Sequence, residues 1–271
     1  MKNFIIRTLS AIIFAAAVLT AFYFGKTVTF FLFGIFMTII LCEYKNFSTF
    51  KNIFGLVLYA LLGVIFYFIG VYGSDPISMR QWGALTILFL IAFFMIISQR
   101  NLQFSPFVNK VSMFFYTVVP FIMFMSFFDF SERLFNGNSF LLPFIFIATI
   151  WIGDSFAYIL GSIIGKHKMA PKISPAKTWE GFIGGLCAVI LAMIIFRVIV
   201  PVQSYFFWIL FGIIIYILGT FGDLTESMLK RKADLKDSGC MMPGHGGAFD
   251  RFDSFILAVP FTALLLLTFN I

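Results

Sequence analysis

The sequence predicts an all-α, polytopic integral membrane protein of about nine transmembrane helices, and three observations carry that prediction. The 271 residues are 61% hydrophobic and only 11% charged, whereas a soluble domain carries about 25% charged residues. The mean hydropathy is +1.01, and the 41 Phe and 12 Met suit softly packed, lipid-facing helices. Apolar runs of about 17–22 residues, long enough to cross a bilayer as helices, recur along the whole chain.

The runs are residues 4–24, 27–43, 53–72, 82–98, 111–128, 139–160, 180–200, 204–222 and 252–270. Turn and polar signals separate them: Gly25-Lys26, Lys45-Asn46, Gly73-Ser74-Asp75-Pro76, Gln99-Arg100-Asn101, Asn136-Gly137-Asn138 and Pro201. The run 27–43 is short, and 204–222 contains Gly212 and Gly219. Lys2 and Arg7 ahead of a run holding Ala15-Ala16-Ala17 imitate a signal peptide. The first run reads instead as an uncleaved helix, because the second follows it almost at once. Residues 1–130 form an N-terminal set of about five helices. Residues 131–271 form a catalytic transmembrane region with two long loops, 161–179 and 223–251.

Orientation follows from Lys and Arg, which collect on the cytoplasmic side of membrane proteins. With the N-terminus in the cytoplasm, only Lys26, Arg80, Arg133 and Arg197 of the 19 basic residues fall outside. The C-terminus is then outside, and both long loops face the cytoplasm. The formal charge of +7 thus follows topology and points to anionic lipid rather than nucleic acid. Cys42 and Cys187 lie in apolar runs and Cys240 in a polar stretch, so no disulfide framework or zinc spacing is visible.

Two segments carry chemistry. The first runs from Asp154 through Tyr158, Gly161 and Lys166 to Ser174-Pro175-Ala176-Lys177-Thr178-Trp179-Glu180-Gly181. Asp154 is an acid within a span, by default a functional hypothesis; the bland alternative is a helix-packing hydrogen bond. The loop has four lysines and no acid between Lys166 and Lys177, which topology alone would explain. The Ser and Thr hydroxyls between lysines, just before a helix start, suit a phosphate.

The second segment is a polar island, 222–253, holding Asp223, Glu226, Ser227, Lys230, Arg231, Lys236, Asp237, His245, Gly246, Gly247, Asp250, Arg251 and Asp253. Asp223 and Glu226 stand at i and i+3 on one helix face, as do Asp250 and Asp253. Two carboxylate pairs at a bilayer surface offer a divalent cation the hard oxygen ligands Mg²⁺ prefers; surface salt bridges with the neighbouring bases are the plain alternative. The Gly244-His245-Gly246-Gly247 turn lets backbone approach a ligand and aims N–H groups from a helix start at phosphate. His245 is read as a phosphate donor, a proton shuttle or an ordinary loop histidine. The two segments together fit metal-assisted chemistry on the phosphates of a partly lipidic substrate. A nucleoside triphosphate, with about four negative charges, needs both Mg²⁺ and Lys/Arg.

The ordered run Ser227-Met228-Leu229-Lys230-Arg231, Lys236-Asp237-Ser238-Gly239, Pro243-Gly244-His245-Gly246-Gly247 and Asp250-Arg251-Phe252-Asp253 resembles the CDP-diacylglycerol synthase (phosphatidate cytidylyltransferase) family. Lys177-Thr178-Trp179-Glu180-Gly181 resembles it too. The likeness is strong over 150–270 and rests only on hydrophobic pattern over 1–150; Met242 and Ala248 stand where a larger apolar residue is usual. It implies that CTP and phosphatidic acid give CDP-diacylglycerol and pyrophosphate, for phospholipid biosynthesis in the cytoplasmic membrane. It also implies dependence on Mg²⁺, with a second cation left open, and a homodimer among membrane lipids.

On that resemblance, Asp223, Asp250 and Asp253 are expected to ligate the metal. Lys230, Arg231 and Lys236 would neutralise the triphosphate, and the turn of His245, Gly246 and Gly247 would cradle phosphate. Lys166, Ser174, Lys177 and Thr178 would hold the second phosphate, with Arg251 a further substrate contact. Asp237 would orient Lys236 or support the metal, and Asp154 would complete the polar pocket. Two other readings compete: an organic-phosphate transporter, against which no charged series crosses the bilayer, and a CTP-dependent lipid kinase or phosphosugar–lipid transferase.

Overall fold

The structure, a computed structural model, describes residues 2–47, 53–72, 79–98, 105–241 and 246–269. Within them, nine helices follow the nine apolar runs in order: α1 (Lys2–Tyr23), α2 (Lys26–Phe47), α3 (Ile53–Tyr72), α4 (Met79–Ser98), α5 (Pro106–Leu134), α6 (Leu141–Ile164), α7 (Trp179–Ile199), α8 (Tyr205–Lys232) and α9 (Phe249–Thr268). Six of them, α2 and α5–α9, are long and apolar enough to cross a membrane, and the protein is an integral membrane protein. The described apolar stretches of α1, α3 and α4 are shorter, at Thr8–Tyr23, Gly55–Ile69 and Trp82–Ser98. The turn signals at 73–76 and 99–101 lie outside the described residues.

Local chemistry explains the boundaries that the structure describes. Gly25, at φ +94°, makes the tight turn between α1 and α2, a backbone region that glycine enters without steric cost. Ser105 caps α5 by accepting from the Val108 N–H at 3.3 Å, with Pro106 at the first helical position. Asn136 and Gly137, both at positive φ, end that helix. Ser204 caps α8 through the Phe207 N–H at 3.1 Å.

Several boundaries depart from the sequence reading. Lys45 and Asn46 do not break α2, which runs on to Phe47. The run 204–222 continues as helix to Lys232, so the first part of the expected 223–251 loop is helical; its apolar Leu229 is buried in the core. The expected 161–179 loop opens with helix to Ile164. It then forms an antiparallel hairpin of β1 (Lys168–Ala170) and β2 (Ser174–Thr178), a small correction to an all-α chain. Pro171 and Pro175 exclude helix there. The 130/131 division falls inside α5.

The core is a phenylalanine cluster around α5, of whose candidate span 83% is buried. Phe33 of α2 stacks on Phe124 at 5.1 Å, Phe121 meets Phe255 of α9 at 5.1 Å, and Phe124 meets Phe146 of α6 at 5.7 Å. Lipid is as apolar as these rings, so packing geometry rather than water exclusion holds the helices together; each aromatic pair adds about 0.5–1.5 kcal/mol beyond its buried area. The peripheral α6 and α7 pack closely through glycine. A Cβ on Gly181 would stand 2.6 Å from the Ala157 carbonyl oxygen.

The helix ends sort themselves. The C-terminal ends of α2, α6 and α8 meet the N-terminal ends of α7 and α9 at one end of the bundle, through Glu43, Lys177, Asp223, Ser238 and Phe249. Toward the other end, Lys26 at the start of α2 pairs with Asp129 near the end of α5, at 2.8 Å. That alternation is what serial crossing of a layer requires.

Candidate active site

The two chemical segments meet in one cavity of about 1100 Å³. Its wall includes Asp154, Lys177 and Thr178 from the first segment and Asp223, Lys230, Asp237, Asp250, Arg251 and Asp253 from the second. Ala11, Phe14 and Ala15 of α1 and Trp151 of α6 extend the wall with apolar surface. A lining that combines charged and apolar side chains fits a ligand that is part anion and part lipid.

Three carboxylates form the centre. Asp223, Glu226 and Asp253 each offer an oxygen within 4.8 Å of the others. Their approach depends on Gly222. A Cβ there would collide with the backbone oxygen of Asp253, so only glycine lets α8 and α9 come this close. We expect Gly222→Ala to force the helices apart, at about 1–3 kcal/mol of stability, with reduced activity; thermal unfolding of the detergent-purified protein checks it.

Each acid has a different neighbour. Asp223 pairs with Lys177 at 2.6 Å and accepts from the Ser227 hydroxyl at 3.2 Å. Asp253 accepts the Ser254 N–H at 2.6 Å. Glu226 is fully buried, and its Oε1 has no hydrogen-bond partner among the described residues. Its Oε2 lies 2.5 Å from the Lys230 ammonium, which also meets Asp250 Oδ1 at 2.5 Å. Orphaned buried carboxylate oxygen is costly. The donor set is all hard oxygen, so the cluster fits Mg²⁺.

Asp250 stands beside the cluster. Its Oδ1 binds Lys230, and its Oδ2 accepts from Gly247 N–H at 2.7 Å, Ser238 N–H at 2.9 Å and the Ser238 hydroxyl at 2.8 Å. Asp250, one of the three acids expected to ligate metal, lies outside the converging set and organises the loop. The glycine turn is occupied in the same way. Gly246 has φ +83°, and a Cβ on it would sit 2.5 Å from Asp250 Oδ2. The N–H groups of Gly247, Ala248 and Phe249, expected to face phosphate, are taken by the carboxylates of Asp250 and Glu43. The glycines are needed for close approach, but the anions approached are the protein's own. His245, with Pro243 and Gly244, lies outside the described residues.

Other expected contacts have structural employment. The Thr178 hydroxyl caps α7 by accepting the Gly181 N–H at 3.2 Å, while the residue still lines the cavity. Glu180 accepts the backbone N–H groups of Lys166 and His167 at 3.1 and 3.2 Å and meets the His167 ring at 2.5 Å, shaping the approach to β1. Arg231 donates to the carbonyls of Ile173 and Leu235 at 3.4 and 3.2 Å, tying the hairpin to the end of α8. Lys166, Ser174, Arg231 and Lys236 are not part of the cavity wall; Lys168 is.

Two residues that matter here escaped the assigned roles. Glu226 carried a visible signal, its i+3 spacing from Asp223. Glu43 carried a weaker one, an acid closing an apolar run. Its partners lie 195–206 residues away in sequence, and no local pattern reveals them.

A family model described as the cytidylyltransferase family matches residues 5–269. A phosphatidate cytidylyltransferase of Staphylococcus haemolyticus (strain JCSC1435) is 34% identical over 273 residues, covering 97% of this chain and 98% of that protein. One from Staphylococcus aureus (strain COL) is 33% identical over 272 residues, with the same coverage of 97% and 98%. One from Bacillus subtilis (strain 168) is 44% identical over 138 residues, a match spanning 50% of this chain and 51% of that protein.

Proposed function

The chain belongs to the cytidylyltransferase family, and from that premise we propose that it transfers the cytidylyl group of CTP to phosphatidic acid, giving CDP-diacylglycerol and pyrophosphate. The observation that carries the reading is one cavity lined by lysines and carboxylates from two distant segments together with apolar residues of α1 and α6. A phosphate oxygen of phosphatidic acid attacks the α-phosphorus of CTP. The bond from that phosphorus to the bridging oxygen of the β-phosphate breaks, and pyrophosphate leaves with the electron pair. The nucleophile is already an anion, so no strong base is required. The obstacle is like-charge repulsion, and catalysis rests on positioning and charge stabilisation.

The residues divide that work. Lys177 and Lys230, both in the cavity wall, neutralise phosphate oxygens. Arg251 supplies a further cation at the wall, and Asp154 a hydrogen-bonding group. Asp223, Glu226 and Asp253 would hold Mg²⁺, which would supply charge neutralisation for the triphosphate. A second cation would compete with the Lys230 ammonium for Glu226 and Asp250. His245 remains proposed as a phosphate donor and Asp237 as the support of Lys236, while Gly246 and Gly247 make room for the Asp250 and Glu43 carboxylates.

We place the N-terminus and the carboxylate end of the bundle in the cytoplasm, where CTP is available, with nine crossings of the cytoplasmic membrane and the C-terminus outside. The basic residues near that end support it. A homodimer completes the reading; α6 and α7, the least buried spans, offer it an apolar face, and crosslinking in native membranes would show a pair.

The test is CTP labelled at the α-phosphate, given to purified protein with phosphatidic acid and Mg²⁺. Label is expected in a chloroform-soluble lipid. A lipid kinase would leave it in CDP, and a transporter would leave CTP intact; either result would overturn the reading.

A further inference from the structure

We propose that Glu43 is a positioning residue of the active site, the anchor by which α2 holds the start of α9 and with it Asp250 and Asp253. The purpose of that anchoring rests on the cytidylyl-transfer reading; the anchoring itself rests on geometry alone.

α9 begins without a cap of its own. Its N-terminal flanking residue is Ala248, which offers no side-chain acceptor. The first N–H groups of a helix have no partner within it, and Ser, Thr, Asp or Asn ordinarily serves them. Here Glu43 does so from another helix. Its Oε1 accepts the Ala248 N–H at 2.8 Å, and its Oε2 accepts the Phe249 N–H at 3.0 Å. Glu43 is 7% exposed and forms no ion pair among the described residues, so its charge is met by these donors and by the positive end of the α9 dipole.

A second contact ties the anchor to the catalytic acids. The Ser238 hydroxyl lies 3.0 Å from Glu43 Oε2, while the Ser238 N–H donates to Asp250 Oδ2 at 2.9 Å. Ser238 thereby joins Glu43 to the carboxylate that holds Lys230. Asn46, about one turn along α2, donates to the Ser238 carbonyl at 2.9 Å. The space is shaped to the acid as well: a Cβ on Gly239 or on Gly247 would collide with the Glu43 carboxylate. Those two glycines belong to the ordered motif of the polar island, and the residue they make room for stands in α2.

Charge and shape give the proposal its test. A carboxylate presents two accepting oxygens, one for each N–H. Glu43→Gln keeps the size but turns one of them into a donor facing a donor, whereas Glu43→Asp keeps the carboxylate on a shorter stem. The full chain is purified in lipid nanodiscs as wild type, Glu43→Gln, Glu43→Asp and Ser238→Ala. Amide hydrogen exchange is followed across 238–255, and kcat and KM for CTP are measured. Glu43→Gln is expected to speed exchange at Ala248 and Phe249 while α5 stays protected. It should lower kcat by on the order of tenfold or more and leave KM for CTP within about threefold. Glu43→Asp should recover part of kcat, which a merely space-filling role would not predict.

Unchanged exchange at Ala248 and Phe249, or a folded Glu43→Gln protein with kcat within about twofold of wild type, would overturn the proposal. Where Glu43→Gln does not fold, Ser238→Ala decides, with the same fall in kcat expected and an unchanged kcat contradicting it. Failure of the wild type to form CDP-diacylglycerol would sink the functional reading instead, and the exchange data would still judge the anchor.

Discussion

Asp253→Asn is expected to abolish most activity while leaving the metal-free protein as stable as wild type or more so. The activity loss follows from the centre. Asp253 is one of three acids whose oxygens lie within 4.8 Å of one another, and removing one preorganised charge from a reacting phosphate site costs about 10²–10³ in rate. The stability effect has the opposite sign for a physical reason. Without a cation, three carboxyl groups packed this closely cannot all carry their charge without cost to the folded protein. A neutral amide relieves part of that, and the Asn oxygen still accepts the Ser254 N–H that Asp253 accepts at 2.6 Å. Measuring kcat together with thermal unfolding in EDTA checks both halves. Full activity in Asp253→Asn would remove this acid from the metal site.

Asp250→Asn is expected to lose comparable activity and, unlike Asp253→Asn, to lose stability. Asp250 takes Lys230 on one oxygen and three donors from Ser238 and Gly247 on the other. An amide satisfies the second group with its oxygen and then points its NH₂ at the Lys230 ammonium, donor against donor. Breaking a part-buried pair in this way costs about 3–5 kcal/mol when an uncompensated charge is left; Glu226 still faces Lys230 at 2.5 Å, so the lower end of that range is expected. The same two measurements check it. A variant that unfolds at the wild-type temperature would contradict the anchoring role that the hydrogen bonds give Asp250.

The architecture was legible because bilayer crossing demands long apolar runs, and each run became one helix. The spacing of Asp223, Glu226 and Ser227 marked a helix leaving the apolar layer, but its continuation to Lys232 was not legible, because hydropathy falls there although the hydrogen bonding continues. The β1–β2 hairpin was hidden in a basic segment whose charge dominated its reading. In the site, the spacing of Asp223 from Glu226 and of Asp250 from Asp253 marked the right faces of α8 and α9. Which acids converge depended on the closeness that Gly222 permits between those helices, a fact of packing and not of spacing. The glycine turn shows the same limit. Its sequence announced close approach to an anion, and only the fold reveals that Asp250 and Glu43 are the anions approached.

The most direct test of a single metal-and-phosphate centre is binding of Mn²⁺, as a spectroscopic stand-in for Mg²⁺, to the purified protein with and without CTP. The account predicts bound Mn²⁺ whose affinity rises when CTP is added, with binding weakened by on the order of tenfold or more in Asp223→Asn and Asp253→Asn. Mn²⁺ binding that is the same in wild type and in both variants, or that ignores CTP, would contradict it.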